Sequence, residues 1–224
     1  MKLVHPLFSK PIEFKENIIN VLIVENQSVF SNMVSDLLAQ LNNQEGEFVL
    51  SRNYEPIAIA KETELIINPF DITLNDKRII NRLYNELNRI ASGEEILSET
   101  QRIRSEIEKY LTRIIENVDY FIDFESELDI TSLLKASNIR ITFSGSTLVE
   151  KVMDYINVLK NLCNTRLFLF VNIKTFFSDK ELTELYKYIE YNKLDILIIE
   201  NTVREKKFAQ EAIRIIDVDL CEIY

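Results

Sequence analysis

The sequence predicts an α/β protein: a head built on a mainly parallel sheet, with an α-helical domain inserted into it. Three observations carry this. Short, almost unbroken apolar runs such as "VLIV", "LFLFV" and "ILII" read as strands buried on both faces. Stretches with apolar residues at helical spacing lie between such runs, so strand and helix alternate. Residues 75–121 hold no strand pattern, only two long amphipathic helices.

Along the chain, "KLVH" and "PIEFK" read as a hairpin, and residues 18–25, "IINVLIVE", as a buried strand. "NQSVFSNMVSDLLAQLNN" follows with apolar residues at 30, 33, 34, 37, 38 and 41, one face of a helix. "EFVL" and "PIAIAKETELIIN" resume strand character, and Leu167–Val171 and Asp195–Glu200 are two more buried strands. Each of those two follows a helix: "STLVEKVMDYINVLKNL" with Ser146 as its cap, and "SDKELTELYKYIEYN" with Ser178 as its cap. In the insertion, Ile80, Leu83, Leu87 and Ile90 repeat at three and four residues. Ile103, Ile107, Tyr110 (or Leu111), Ile114 and Val118 do the same, and Gly93 marks the turn between the helices. The predicted domains are 1–74 with 122–224 for the head and 75–121 for the helical leg.

Composition narrows the function classes. With 224 residues, 46% hydrophobic and 28% charged, the chain buries a full core, and 3 Gly and 4 Pro leave little room for linkers. "MKLVHPLFSKPIEF" lacks the unbroken apolar core of a signal peptide, and no run approaches the ~18 residues that span a bilayer. Cys163 and Cys221 read as two buried free thiols in a reducing compartment, so the chain reads as cytoplasmic. The single histidine, His5, argues against a Ser-His-Asp triad or a His-rich zinc site; it reads as a strand residue beside a turn at Pro6.

The net charge of −10 argues against nucleic acid until its placement is considered. Residues 77–113 hold eight cations against six acids, a net of +2, so the remainder carries −12. On the first inserted helix Arg78, Arg82, Asn85 and Arg89 share one sector opposite the apolar stripe; on the second, Arg102, Lys109 and Arg113 share another. The residues alone favour a solvated face with i,i+4 ion pairs over a phosphate-tracking surface.

Other chemistries find less support. The turn after Glu25, "NQSVF", has neither the glycines nor the lysine of a phosphate-binding loop, which argues against nucleotide hydrolysis. Glu200 ends a buried strand, where α/β enzymes often place a functional acid, but a polar strand terminus is the simpler reading. Glu13–Lys15 has the Glu-x-Lys spacing of metal-dependent nucleases without the preceding acid. The chain reads as non-catalytic.

"DFESELDIT" places Asp123, Glu125, Glu127 and Asp129 at alternate positions with no local cation. Hard carboxylate oxygens suit calcium. The EF-hand pattern fails, because positions six and twelve of a loop beginning at Asp123 are Leu128 and Leu134. A calcium loop of another class and a solvated acidic loop fit equally well.

The order of "NVLIVENQSVFSNMV", "ESELDITSLLKASNIRIT", "LVEKVMDYINVLKNL" and "RLFLFVNIKTFFSDKELTELYKYIEYNKLDILIIEN" resembles the Csn-two (Csn2) family of type II-A CRISPR-associated spacer-acquisition proteins over nearly the full length. The resemblance implies a P-loop-type head without a working phosphate loop, a helical leg, and a homotetrameric ring in a bacterial cytoplasm. It further implies that calcium stabilises the ring, that the ring holds double-stranded DNA ends without cutting them, and that the partners are the CRISPR integrase and effector nuclease. Matching the acidic segment points to Asp123, Glu125, Glu127 and Asp129 for calcium. The DNA-facing candidates rest on helix phase: Arg78, Arg82, Arg89, Arg102, Lys109 and Arg113, with Lys135 and Arg140 nearer the head. A second reading is a protein-interaction scaffold for the integrase complex, with incidental DNA contact.

Overall fold

A computed structural model describes residues 1–124, 129–204 and 208–224. The chain forms two compact units, Met1–Thr73 with Phe143–Tyr224 and, between them in sequence, Leu74–Thr142. The first unit begins with β1 (Lys2–Val4), β2 (Ile12–Glu13), β3 (Ile19–Val24), α1 (Gln27–Leu41), β4 (Val49–Arg52), β5 (Glu55–Ile57), the one-turn α2 (Ile59–Glu62) and β6 (Thr63–Ile66). The second contributes α3 (Lys77–Ala91), α4 (Leu97–Ile115) and α5 (Ile130–Ala136). The first then resumes with α6 (Leu148–Cys163), β7 (Leu167–Val171), a 3-10 turn at Ile173–Thr175, α7 (Asp179–Asn192), β8 (Asp195–Glu200), β9 (Glu211–Ile216) and β10 (Glu222–Ile223).

The main sheet has the order β10-β9-β3-β8-β7-β6. Every neighbouring pair in it is parallel except β10 with β9. β3 and β7 are buried along their whole length, as their unbroken apolar runs require in a sheet covered on both faces. One face of the core joins Leu22, Val24, Leu197 and Ile199 to Met33 and Leu37 of α1. Each such side chain contributes about 1.5–3 kcal/mol by leaving water. A smaller antiparallel sheet, β2-β1-β4-β5, carries the N-terminal hairpin.

Several local expectations are corrected. The strand character expected over "PIAIAKETELIIN" holds in β5 and β6 but is interrupted by α2, which the two guanidinium contacts of Arg52 to Glu62 tie back to β4. The cap of α6 is Thr147, not Ser146: Thr147 Oγ1 accepts the Glu150 N–H, and the Glu150 carboxylate accepts the Thr147 N–H in return. Ser178 caps α7 through the same reciprocal box. Cys221 is exposed rather than buried, and Cys163 is half-buried. No described helix is long and apolar enough to cross a membrane.

β9 and β10 arise where no strand is foreseen. Arg214 of β9 explains how a cation fits there. Its Nη atoms donate to the carbonyls of Lys10 (2.6 Å) and Pro11 (3.2 Å), and its Cζ lies 5.2 Å from the Phe8 ring centroid and 5.1 Å from that of Tyr224. One side chain thus ties the β1–β2 connection to the last two strands.

Within the second unit, Ile79 and Tyr84 form the buried face of α3, and Tyr84 Oη donates to the Ile139 carbonyl at 3.1 Å. Asn75 closes the unit's two ends: Nδ2 donates to the Ile141 carbonyl (2.8 Å) while Oδ1 accepts the Ile141 N–H (2.9 Å). α5 packs on α3. The expected boundary at 121 therefore lies inside this unit, which continues to Thr142.

Candidate nucleic-acid and cation sites

α3 starts where Asp76 accepts the Ile79 N–H at 2.8 Å, a cap that sets the phase of every later side chain. With Ile79 and Tyr84 inward, Arg78, Arg82 and Arg89 are exposed on the outer face. They are not equivalent. Arg89 is held by Glu86 one turn earlier, with Nη2 2.6 Å from its carboxylate. Arg82 makes no ion pair with any described residue.

α4 begins after a turn that Thr100 fastens, its Oγ1 donating to the Ala91 carbonyl at 2.9 Å. Among the exposed cations of α4, Arg102 is shared between Glu106 (3.1 Å) and Glu99 (3.7 Å). Lys109 and Arg113 are exposed and form no ion pair among the described residues. On the apolar stripe of α4, Ile103, Tyr110 and Ile114 are exposed while Ile107 and Leu111 are half-buried, and Thr100 is the one buried residue of the helix. Lys135, in the last turn of α5, and Arg140 are exposed and belong to this same unit rather than to the α/β unit.

Of the four acidic candidates, Glu125 and Glu127 lie outside the described residues. Asp129 is the N-cap of α5. Its Oδ1 accepts the Thr131 N–H at 3.1 Å, while Oδ2 accepts the Ser132 N–H and hydroxyl, both at 3.0 Å. The Thr131 backbone bond, then those from Ser132, hold its carboxyl below the ordinary aspartate range. Oδ2 has no lone pair left for a metal, whereas Oδ1 keeps one. Asp123 is exposed, and its Oδ1 accepts the Phe124 N–H at 2.9 Å, its one hydrogen bond among the described residues. Among the described residues no group of three or more His, Cys, Asp or Glu could hold a metal ion.

In the α/β unit, the turn from β3 into α1 is filled by Asn26. Its Oδ1 accepts the Val29 N–H at 3.2 Å and its Nδ2 donates to the Val218 carbonyl at 3.1 Å. A side chain of the protein thus occupies the helix start that a phosphate loop would leave for its ligand. Glu200 is only 2% exposed. It accepts the Lys174 N–H at 3.1 Å, lies 3.8 Å from Arg204 Nε, and has its carboxyl raised by burial.

Beyond Glu200 lies a buried group that sequence reasoning misses. Lys174 Nζ sits 2.7 Å from Glu211 Oε1, with side chains 5% and 0% exposed. Tyr186 Oη donates to the same oxygen at 2.5 Å, and burial followed by the Glu211 charge pushes its phenol far above the tyrosine range. These residues come from the turn after β7, the start of β9 and the middle of α7, so no local pattern joins them.

A family model and a curated relative point to the same family. A family model described as CRISPR-associated protein (Cas_Csn2) matches residues 40–220. The CRISPR-associated protein Csn2 of Enterococcus faecalis is 24% identical over 216 residues, which is 93% of this chain and 93% of that protein. Among solved structures, a putative ABC transporter (ATP-binding protein) from Pyrococcus furiosus is similar at a TM-score of 0.40 and 11% identity, over 95% of this chain and 97% of that one.

Proposed function

The chain belongs to the Csn2 family of CRISPR-associated proteins, and on that premise we propose that it is a non-catalytic ring that binds duplex DNA without regard to sequence during spacer acquisition. The observation that carries the reading is the set of exposed cations on the helical unit without an acidic partner. Arg82, Lys109, Arg113, Lys135 and Arg140 meet no carboxylate among the described residues, in a chain of net charge −10. Ionised side chains left unpaired on an acidic protein suit phosphate, and arginine's planar fork grips phosphate oxygens without reading bases. Arg78 shares the outer face of α3 with Arg82, whereas Arg89 and Arg102 are already engaged by neighbouring glutamates and contribute less.

Assembly is part of the proposal. A few cations per copy bind weakly, but four copies around one duplex multiply them. The uncovered stripe Ile103, Tyr110 and Ile114 is apolar surface that contact between copies would cover. Calcium would be held by Asp123, Glu125 and Glu127, with the remaining lone pair of Asp129, and would neutralise carboxylates that otherwise repel one another. The integrase and effector nuclease of the type II-A system are the partners this reading assigns. The absence of catalysis is supported by the β3–α1 turn, which offers Asn26 where a phosphate loop needs glycine and lysine.

Competition between linear and closed-circular duplexes of one sequence tests the ring. Threading requires an end, so linear DNA should win and chelation of calcium should erase its advantage. Equal competition by circles overturns the ring.

A further inference from the structure

The α/β unit carries a groove that the DNA reading does not use. A cavity of about 530 Å³ opens between the turn after β1 and α1. Leu7 and Val29 supply apolar lining, and Asn32, Asp36 and Glu47 stand around its mouth. His5 closes one end at 4% exposure, its ring 4.5 Å from that of Phe48 and 5.3 Å from that of Phe8.

The charge at the mouth is uncompensated. His5 Nδ1 accepts the Leu7 N–H at 3.2 Å, so the ring proton sits on Nε2, 3.3 Å from Glu47 Oε2. A neutral imidazole in that tautomer donates a hydrogen bond to Glu47 without cancelling its charge. Asp36 accepts the Glu47 N–H at 2.9 Å, which holds the two acids beside one another. Neither carboxylate meets a lysine or arginine among the described residues.

The adjoining helix face adds an independent sign. α1 runs from Gln27 to Leu41 with Asp36 as its only charged residue, in a chain that is 28% charged. Its solvent side presents Gln27, Ser28, Ser31, Asn32, Ser35 and Leu38. Surface helices usually carry their charge outward, and its depletion marks the central part of protein interfaces.

We propose that this groove docks an extended segment of a partner protein carrying an arginine or lysine between apolar residues. The cation lies between the carboxylates of Asp36 and Glu47, its apolar neighbours lie over Leu7 and Val29, and the uncharged face of α1 meets the rest of the segment. A cation suits the site because two adjacent carboxylates without a counter-ion favour one, and the apolar lining sets it apart from a metal site. The assignment is independent of the helical unit.

The test uses the full chain, isotope-labelled, titrated by NMR with a short peptide bearing one arginine between leucines. A matched peptide carries citrulline, the neutral isostere, instead. Saturable shifts at Leu7, Val29 and Asn32 with the arginine peptide are expected. Affinity should drop at least about tenfold for the citrulline peptide and for Asp36→Asn/Glu47→Gln. Glu47→Gln alone, at an exposed side chain, and Asn32→Lys, which places a cation at the rim, should weaken binding if the double variant does not fold. Failure to saturate, equal binding of both peptides, or binding unchanged in these variants overturns the proposal. So do groove shifts that track protein concentration without peptide, since the occupant is then a second copy.

Discussion

Replacing Lys174 by methionine should destabilise the α/β unit by about 3–5 kcal/mol, the usual cost of leaving one member of a buried ion pair alone. The geometry places this case toward the upper end. The Glu211 side chain is fully buried, Lys174 Nζ lies 2.7 Å from its Oε1, and Oε2 has no hydrogen-bond partner among the described residues. Without Lys174, the Tyr186 hydroxyl is the one polar partner left among the described residues on a carboxylate buried from water. Removing both charges should restore most of the loss, because methionine and leucine fill similar volume without desolvating an ion. Lys174→Met/Glu211→Leu should still fall short of the parent, since Tyr186 then keeps a buried hydroxyl without its acceptor, a deficit of about 1–3 kcal/mol. Adding Tyr186→Phe should remove that deficit too. Urea unfolding reads the series: with a slope of about 2 kcal/mol per molar, the single variant should lose about 2 M in midpoint. Hydrogen exchange at the β8 amides confines the readout to the unit holding the pair. A single variant within about 0.5 kcal/mol of the parent, or a double variant no better than the single, would refute the view that the pair's value lies in mutual neutralisation.

Two further outcomes follow from the same reasoning. Burial raises the Glu200 carboxyl, so its contribution to stability is complete below the ordinary glutamate range and is lost as pH rises through the folded value; Glu200→Gln, which still accepts the Lys174 N–H, should flatten the decline of melting temperature with pH on that side, and an unchanged profile contradicts it. Calcium should raise the melting temperature of the parent by mass action, and Asp123→Asn/Glu125→Gln should abolish that rise; a shift that survives in the variant removes the acidic segment from calcium binding.

The parts of the fold visible in the sequence are those whose physics is local. β3, β7 and β8 announce themselves because strands covered on both faces need unbroken apolar runs, and Ser178 is recognisable by the Glu181 three residues on. β9 hides because "EAIRII" is half-buried and contains Arg214, whose acceptors and ring partners come from residues 8–11 and 222–224. The cap of α6 shifts by one residue because Ser146 and Thr147 both carry hydroxyls, and only Thr147 has a glutamate three positions later. The helical unit outruns its expected end because the Asn75–Ile141 clasp spans 66 residues and leaves no local trace.

The candidate site divides along the same line. That Arg89 and Arg102 are engaged is readable from glutamates three or four positions away, whereas the uncompensated state of Arg82, Lys109 and Arg113 needs three dimensions. The Lys174–Glu211–Tyr186 group draws on three elements 12 to 37 residues apart in sequence, beyond any spacing rule.

The salt dependence of binding to a linear duplex tests the central claim most directly, comparing the parent with Arg82→Ala/Arg113→Ala. Each phosphate neutralised releases counterions, so log affinity should fall against log salt with a slope of about −0.9 per contact. Both substituted positions are exposed, so the fold should tolerate the change. The account predicts a shallower slope in the variant, with affinity reduced by a similar factor on unrelated sequences. A variant whose slope and affinity match the parent's would place the DNA contact elsewhere and contradict the claim that the helical unit holds it.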